Sequence, residues 1–448
     1  MSHYKPYPAY KDSGVEWLGK VPEHWDVKSI KYVAPHVGSG KTPSGGSEVY
    51  QDSGILFLRS QNVYDDGLRL DDATYISEEI DLTMKGSRVR ANDVLLNITG
   101  ASIGRSCLVP EIFQPANVNQ HVCIIRPESR ETAKWLSLCL KSESVQSQID
   151  FSQNGAGREG LNFEQIGNIC ISLPPTTERL RISEHLEHEV ARIDGLIAKK
   201  TRFIELLCEK RQALITHAVT KGLDPAAKMK DSGVEWLGDV PEHWAVKRLR
   251  LIASVQTGIA KGKDNTDKET VQVPYLRVAN VQDGYLDLEE VSTIHIPTKD
   301  LDRYLLQKGD VLMNEGGDFD KLGRGHVWHG EVEPCIHQNH VFAVRPNQVQ
   351  PQWLNTFTSS KAAQFYFMGR SKQSTNLASI SSTNLMELSV PVPSDAEQHE
   401  ILGALSDMTT RLDTLITKTE LSLTLLKERR SALITAAVTG QIDLREAS

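Results

Sequence analysis

DSGVEWLGKVPEHWDVK, at residues 12–28, returns as DSGVEWLGDVPEHWAVK at residues 231–247. Only Lys20/Asp239 and Asp26/Ala245 differ between the two copies, which lie 219 residues apart. The same offset links RQALITHAVT at residues 211–220 to RSALITAAVT at residues 430–439. Two near-identical frames therefore bracket two stretches of similar length that have diverged. A duplicated frame with unequal inserts suits a protein that meets one partner twice and two different ligands once each.

The chain has 448 residues, 39% hydrophobic and 24% charged, the composition of an ordinary soluble globular protein of about three domain-sized units. MSHYKPYPAY at the start has no basic segment leading into an apolar one, so no secretory signal is expected. No apolar run approaches the roughly 18 residues of a membrane span. Six cysteines with no CxxC pair point to a reducing compartment, and a cytoplasmic location is expected. A net charge of −8 argues against a protein that coats nucleic acid. It leaves room for a reader whose cationic surface is local.

Each half runs box, variable region, long helix. Pro174-Pro175 precedes the first helix, and Ser394-Asp395-Ala396-Glu397 reads as a capping box that opens the second. Each helix is expected to cover about 40 residues, roughly 60 Å at 1.5 Å per residue. Leu186, Val190, Ile193, Ile197, Ile204, Leu207 and Leu214 follow coiled-coil spacing, interrupted by Lys200 and Arg211. Leu405, Thr409, Leu412, Ile416, Leu423, Leu426 and Leu433 repeat it, interrupted by Thr419 and Arg430. Matching interruptions make each helix the natural antiparallel partner of the other, about a pseudo-twofold axis. The alternative is that each helix packs on its own domain.

The variable regions read as mixed α/β. ILFLR, DVLLNI, HVCIIRP and ICISLP in the first half answer to PYLRV, DVLMN, HVFAVRP and ELSVPV in the second. Helices are expected after Glu131 and Pro351. The polar loops between the strands differ, as GSGKTPSGGSE against TGIAKGKDNTDKE and NGAGREGLN against SKQSTNLAS. Shared strands with unlike loops describe one scaffold adapted to two ligands.

With the doubled box, the LRxxNV and GDVL-like strands and the heptad helices ending RxALITxAVTG, the chain resembles the specificity subunits of Type I DNA restriction-modification enzymes, over essentially its whole length. The resemblance implies an α+β fold with two target-recognition domains of twisted β-sheet, separated by a pair of long antiparallel coiled-coil helices. The expected divisions are 1–175, the first recognition domain; 176–222, the central helix; 223–393, a linker, the repeated box and the second recognition domain; and 394–448, the distal helix and tail. It further implies that each domain reads one half of a split site in double-stranded DNA, with the helices as spacer. Methylation subunits, usually two, would dock around the repeated helical regions, and restriction-translocation subunits would join that core. The specificity subunit itself would hold no catalytic centre and no cofactor.

The residues agree with that absence. There is no asparagine-proline-proline-aromatic tetrapeptide to hold a flipped adenine and no glycine-rich strand for a methyl donor. Gly40-Lys41-Thr42 resembles a phosphate loop, but Pro35 stands where its first glycine belongs and Pro43 breaks a dinucleotide fingerprint. His326, His329, Cys335, His337 and His340 are zinc-ligand types, yet only His340 has a first-half counterpart, His121. No metal is expected there. Trp17, Trp25, Trp236 and Trp244 of the boxes are expected to pack rather than to stack on a ligand, with contact to a methylation subunit as the alternative.

Base edges and phosphates are read by Arg, Lys, Asn, Gln and hydroxyl side chains. The DNA-binding candidates of the first half are Lys41, Thr42, Ser44, Arg59, Gln61, Asn62, Ser102, Arg105, Asn119, Gln120 and Arg158. Those of the second are Lys261, Lys263, Arg277, Asn280, Asn314, Lys321, Arg324, Gln338, Asn339, Lys372 and Gln373. The alternative from another class is a non-catalytic adaptor with two β-rich modules on a coiled coil, binding proteins or glycans. It accounts for the duplication and the helices but not for divergence concentrated in the loops.

Overall fold

The structure, a computed structural model, describes residues 4–154, 160–260, 269–317, 319, 322–374 and 377–445. It has the mixed α+β architecture expected and divides into two units, Met1–Thr201 with Leu421–Ser448, and Arg202–Glu420. Each unit takes part of each long helix, which run Thr176–Lys221 and Asp395–Val438.

In the first unit a four-stranded antiparallel sheet has the order Ser106–Leu108, Val94–Asn97, Val122–Arg126, His36–Ser39. A second sheet runs Thr74–Ile76, Ile55–Leu58, Ala116–Val118, Arg88–Val89, with the two middle strands parallel. The second unit repeats the plan. Its larger sheet runs Ala253–Thr257, Val341–Pro346, Val311–Asn314, Gly325–Val327. Its smaller one runs Ser292–Pro297, Thr270–Leu276, Ile336–His337, again with one parallel pair. The sheets are open. Their inner strands are continuous runs of buried residues, VLLN and VLMN, because both faces are covered. Helices follow at Arg130–Leu140 and Pro351–Thr358, as the sequence indicates.

The box closes each unit onto the start of its helix. Gly14 and Gly233 turn with φ of +72° and +71°, a conformation open to glycine at little cost. Trp25 and Trp244 are wholly buried and meet Trp135 and Trp353 edge to face, with ring centres 5.8 and 5.7 Å apart. The indole of Trp25 donates to Glu178 Oε1 at 3.1 Å and that of Trp244 to Glu397 Oε1 at 2.9 Å. The box tryptophans therefore pack. Trp17 and Trp236 are half-buried against Phe151 and Tyr366.

One expectation needs correcting. Ser394 Oγ does accept from Glu397 N at 3.3 Å, but the Glu397 carboxylate does not return to complete a capping box. It is committed to Trp244 and His243. Glu178 has the same role and also accepts from the buried Tyr7 hydroxyl at 2.8 Å. Burial and this carboxylate push the Tyr7 phenol far above its ordinary pKa, so it remains a donor. Glu178→Ala strands two buried donors and is expected to cost about 2–3 kcal/mol. Glu178→Gln, which keeps an acceptor oxygen, is expected to cost less. Urea denaturation of the full chain checks both, and wild-type stability in Glu178→Ala would contradict the assignment.

Within each unit the two long helices pack against each other as well as against their domain, so the two alternatives for the helices coexist. In the first unit Ile182, Leu186 and Ile193 share a core with Leu433, Ile434 and Val438. In the second, Ile215 and Val219 share one with Ile401 and Leu405. Early residues of one helix meet late residues of the other, the antiparallel sense. The arginine interruptions form interhelical ion pairs: Arg430 Nε lies 2.8 Å from Asp194 Oδ1, and Arg211 Nε lies 2.8 Å from Asp413 Oδ1.

Candidate nucleic-acid interface

In each unit the end of the larger sheet and the parallel strand of the smaller one meet at a polar corner. Val118 and His337 end the parallel strands beside Leu58 and Leu276. Next come Asn119-Gln120-His121 in the first unit and Gln338-Asn339-His340 in the second. Asn119 N donates to Leu58 O and Gln338 N to Leu276 O, so the two corners are equivalent by hydrogen bonding. The two amide residues have exchanged places. Gly40 and Gly258 pass so close to Val118 and His337 that a Cβ would lie 1.6 and 2.0 Å from a carbonyl oxygen.

In the first unit the corner is a string of polar contacts. Thr42 Oγ1 donates to Gln120 Oε1 at 2.5 Å, and Gln120 Nε2 lies 2.9 Å from His121 Nε2. His121 Nδ1 lies 2.5 Å from Thr99 Oγ1, and Asn119 Oδ1 accepts from His121 N. In the second unit Asn339 Nδ2 lies 3.2 Å from His340 Nε2, and His340 Nδ1 lies 2.8 Å from Glu315 Oε2. Glu315 and His340 line a cavity of about 420 Å³ with Val278, Gly316, Gly317, Ala378 and Ser379. The histidine thus faces a hydroxyl in one unit and a carboxylate in the other.

Arginines flank both corners at equivalent places. Arg59 and Arg277 open equivalent tight turns, each backbone amide donating to the side-chain Oδ1 of the asparagine three residues on. The Arg59 guanidinium also donates to Asp72 O. Arg105 sits 5.0 Å from the Tyr64 ring centre, and Arg324 lies beside Gly317. Arg59, Arg277 and Arg324 each keep a buried Nε with no hydrogen-bond partner among the described residues. Lys41, Ser44 and Gln61 are exposed, as is Lys372 on the strand Lys372–Ser374, which also carries Gln373. Ser102 is half-buried and accepts from Asn97 Nδ2. Arg158, Lys261, Lys263 and Lys321 lie outside the described residues.

Three candidates are buried. Asn62 and Asn280 are each 2% exposed, and their amides bind Arg69 O and Asp287 O inside the turn they cap. Asn314 is 1% exposed and donates to Val281 O. Each amide nitrogen donates to the chain, and this burial favours a role in shaping the corner over direct contact with a ligand. His121, His340 and Glu315 stand at the same corners and were not among the candidates. The doubled NQH and QNH triplets were the signal that could have found them.

Of the possible metal ligands, His326 and His329 lie with ring centres 5.9 Å apart. Cys335 is buried with its thiol pushed up to about 12 by burial, and His337 Nδ1 is 2.7 Å from Val341 O. Among the described residues no three His, Cys, Asp or Glu side chains gather as a metal site. No described helix is long and apolar enough to cross a membrane.

A family model described as the Type I restriction modification DNA specificity domain matches residues 22–205 and again 241–425. The chain belongs to this family. The two matches cover the two repeats, each from within its box into its long helix. Curated relatives include the Type I restriction enzyme EcoKI specificity subunit of Escherichia coli K12, 21% identical over 95% of this chain and 90% of that one. The StySPI specificity subunit of Salmonella potsdam is 21% identical with the same coverage. The MjaVIII specificity subunit of Methanocaldococcus jannaschii is 24% identical over 95% of each chain. A solved chain from work on complex assembly and conformational transition of the type I restriction-modification system superposes with a TM-score of 0.69. It is 16% identical and is covered to 99% of its length, a likeness of fold. A DNA sequence-specificity role in a Type I restriction-modification system follows from family membership and favours DNA over an adaptor's protein or glycan ligands.

Proposed function

We propose that the chain reads a bipartite, asymmetric target in double-stranded DNA and directs adenine methylation and restriction by partner subunits in the cytoplasm. Residues 1–175 would read one half-site and residues 223–393 the other, joined by the helices of 176–222 and 394–448. The observation that carries this reading is the corner present in both units with its amides exchanged, Asn119-Gln120 against Gln338-Asn339. Amide side chains pair with adenine and arginines with guanine or phosphate, so exchanged amides on one scaffold suit two different half-sequences.

The partners would meet the helices. Leu196 and Leu415 are equivalent positions of the repeat, 43% and 46% exposed, and so are Leu206 and Leu425. Apolar residues left open at the same places in two copies fit two methylation subunits docking alike. Restriction-translocation subunits would join that assembly.

The chain itself would carry no chemistry. Purified chain given a methyl donor and target DNA is expected to transfer no methyl group, whereas the complex with methylation subunits does. Transfer by the chain alone would refute this. Arg105→Ala and Arg324→Ala probe the corners separately. If each arginine makes a bidentate base contact, its loss costs about 1–3 kcal/mol and relaxes one position in one half-site. Equal weakening on all sequences would instead mark a phosphate contact. Binding titrations on a panel of half-site variants separate these outcomes.

A further inference from the structure

The second unit has a cavity of about 320 Å³ lined by Arg211, Gln212, Ile215, Asp283, Ser359 and Leu405, among others. Its walls have counterparts in the first unit. Lys141 and Ser359 each cap the helix that follows the central sheet, and each region is tied to a long helix in the same way. Glu143 N donates to Thr435 Oγ1, and Lys361 N to Thr216 Oγ1. Arg430 with Asp194 corresponds to Arg211 with Asp413. Asp65 corresponds to Asp283, three residues beyond the turn asparagine in both units.

The two places differ in their charges. The Lys134–Glu187 ion pair of the first unit is replaced by Gln352 and Ser406, which leaves the balance unchanged, and Lys141 is replaced by Ser359, which does not. In the first unit Lys141 is half-buried, and its ammonium lies in the field of Arg430, Asp65 and Asp194. Arg430 pairs directly with Asp194, and Lys141 adds a second cation at longer range from Asp65. In the second unit the lysine is Ser359, whose carbonyl accepts from Gln212 Nε2 at 2.8 Å. Arg211 is paired with Asp413. Asp283, at the exposed mouth, has no side-chain hydrogen bond or ion pair among the described residues. The cavity thus has an apolar wall of Ile215 and Leu405 for a methylene stem and an unmatched carboxylate at its opening.

We propose that this cavity takes the ammonium end of an aliphatic amine, in the place that Lys141 fills in the first unit. The ligand class is a primary alkylammonium, supplied by a free diamine or polyamine or by a lysine of a bound polypeptide.

The test titrates the full chain with butane-1,4-diamine, with tetramethylammonium as a cation that has no N–H to donate. Asp283→Asn and Ser359→Lys are the variants, with circular dichroism confirming their folds. Binding of the diamine that Asp283→Asn weakens about fivefold, and that the Ser359→Lys side chain displaces, supports a small amine. Should the free chain bind no diamine while both variants lower its affinity for methylation subunits about fivefold, the amine is a partner's lysine. Diamine binding untouched by both variants, or no binding with assembly unchanged in both, overturns the proposal. If Ser359→Lys fails to fold, the exposed Asp283→Asn decides alone.

Discussion

Asp93→Ala is expected to destabilise the first unit by about 3–5 kcal/mol, the cost of stranding one partner of a buried ion pair. Asp93 is wholly buried and accepts from Arg126 Nε at 2.6 Å and Nη2 at 2.7 Å. Its second oxygen also accepts from Arg90 N, which holds the turn entering the central strand. Removing the carboxylate leaves a guanidinium that is only 20% exposed without its counter-charge. Domains are stable by about 5–15 kcal/mol in total, so the loss approaches unfolding. The second unit repeats the arrangement. Asp310 accepts from Arg345 Nε at 2.7 Å and from Gln307 N at 2.8 Å, and this carboxylate raises the arginine's pKa above its usual value. Asp310→Ala should therefore cost a similar amount in its own unit. Arg192→Ala, which breaks a surface pair with Glu189, should cost only about 0.3–0.5 kcal/mol. Denaturant unfolding of the three variants checks the contrast. Equal stabilities would show that the buried pairs are not structural.

These pairs mark the limit of what the sequence made legible. Strands such as DVLLNI and helices after Glu131 and Pro351 follow from local patterns, and they formed where expected. The tryptophan packing followed from the near-identical duplication of the boxes. Asp93 and Arg126 are 33 residues apart, and nothing local announces that adjacent strands will bring them together. Their recurrence as DVL and RP in both repeats was the available clue. Glu397 looked like a helix-capping residue because a carboxylate three residues beyond a serine is the usual sign of one. The buried indole of Trp244 takes that carboxylate instead, as the indole of Trp25 takes Glu178.

The candidate interface was less legible for a related reason. Asn, Gln and Arg are chosen by chemistry, but burial decides which of them can face a ligand. Asn62 and Asn280 have suitable side chains and spend them holding turns, and Asn314 is buried at the end of a strand with its amide nitrogen on Val281 O. Asn119 and Gln338 sit at equivalent corners, as the NQH and QNH triplets suggest and the strand register shows, although the neighbouring loops of the two halves differ.

Exchanging residues 38–174 for the matching region of a related specificity subunit tests the modular reading and is expected to have the largest effect on function. The exchange leaves both boxes, Glu178 and the whole second unit in place. The incoming region must supply a tryptophan at the position of Trp135, because Trp25 packs on its ring. It must also supply an edge strand for Asp26–Ser29, which pairs with Cys170–Leu173. With those conditions met, the polar corner of the first unit changes entirely and that of the second is untouched. The deciding measurement is the map of modified adenines in a strain carrying the hybrid chain with its methylation subunits. A motif with one half replaced and the other half unchanged is the predicted result. A motif altered in both halves, or in neither while methylation persists, would contradict the account.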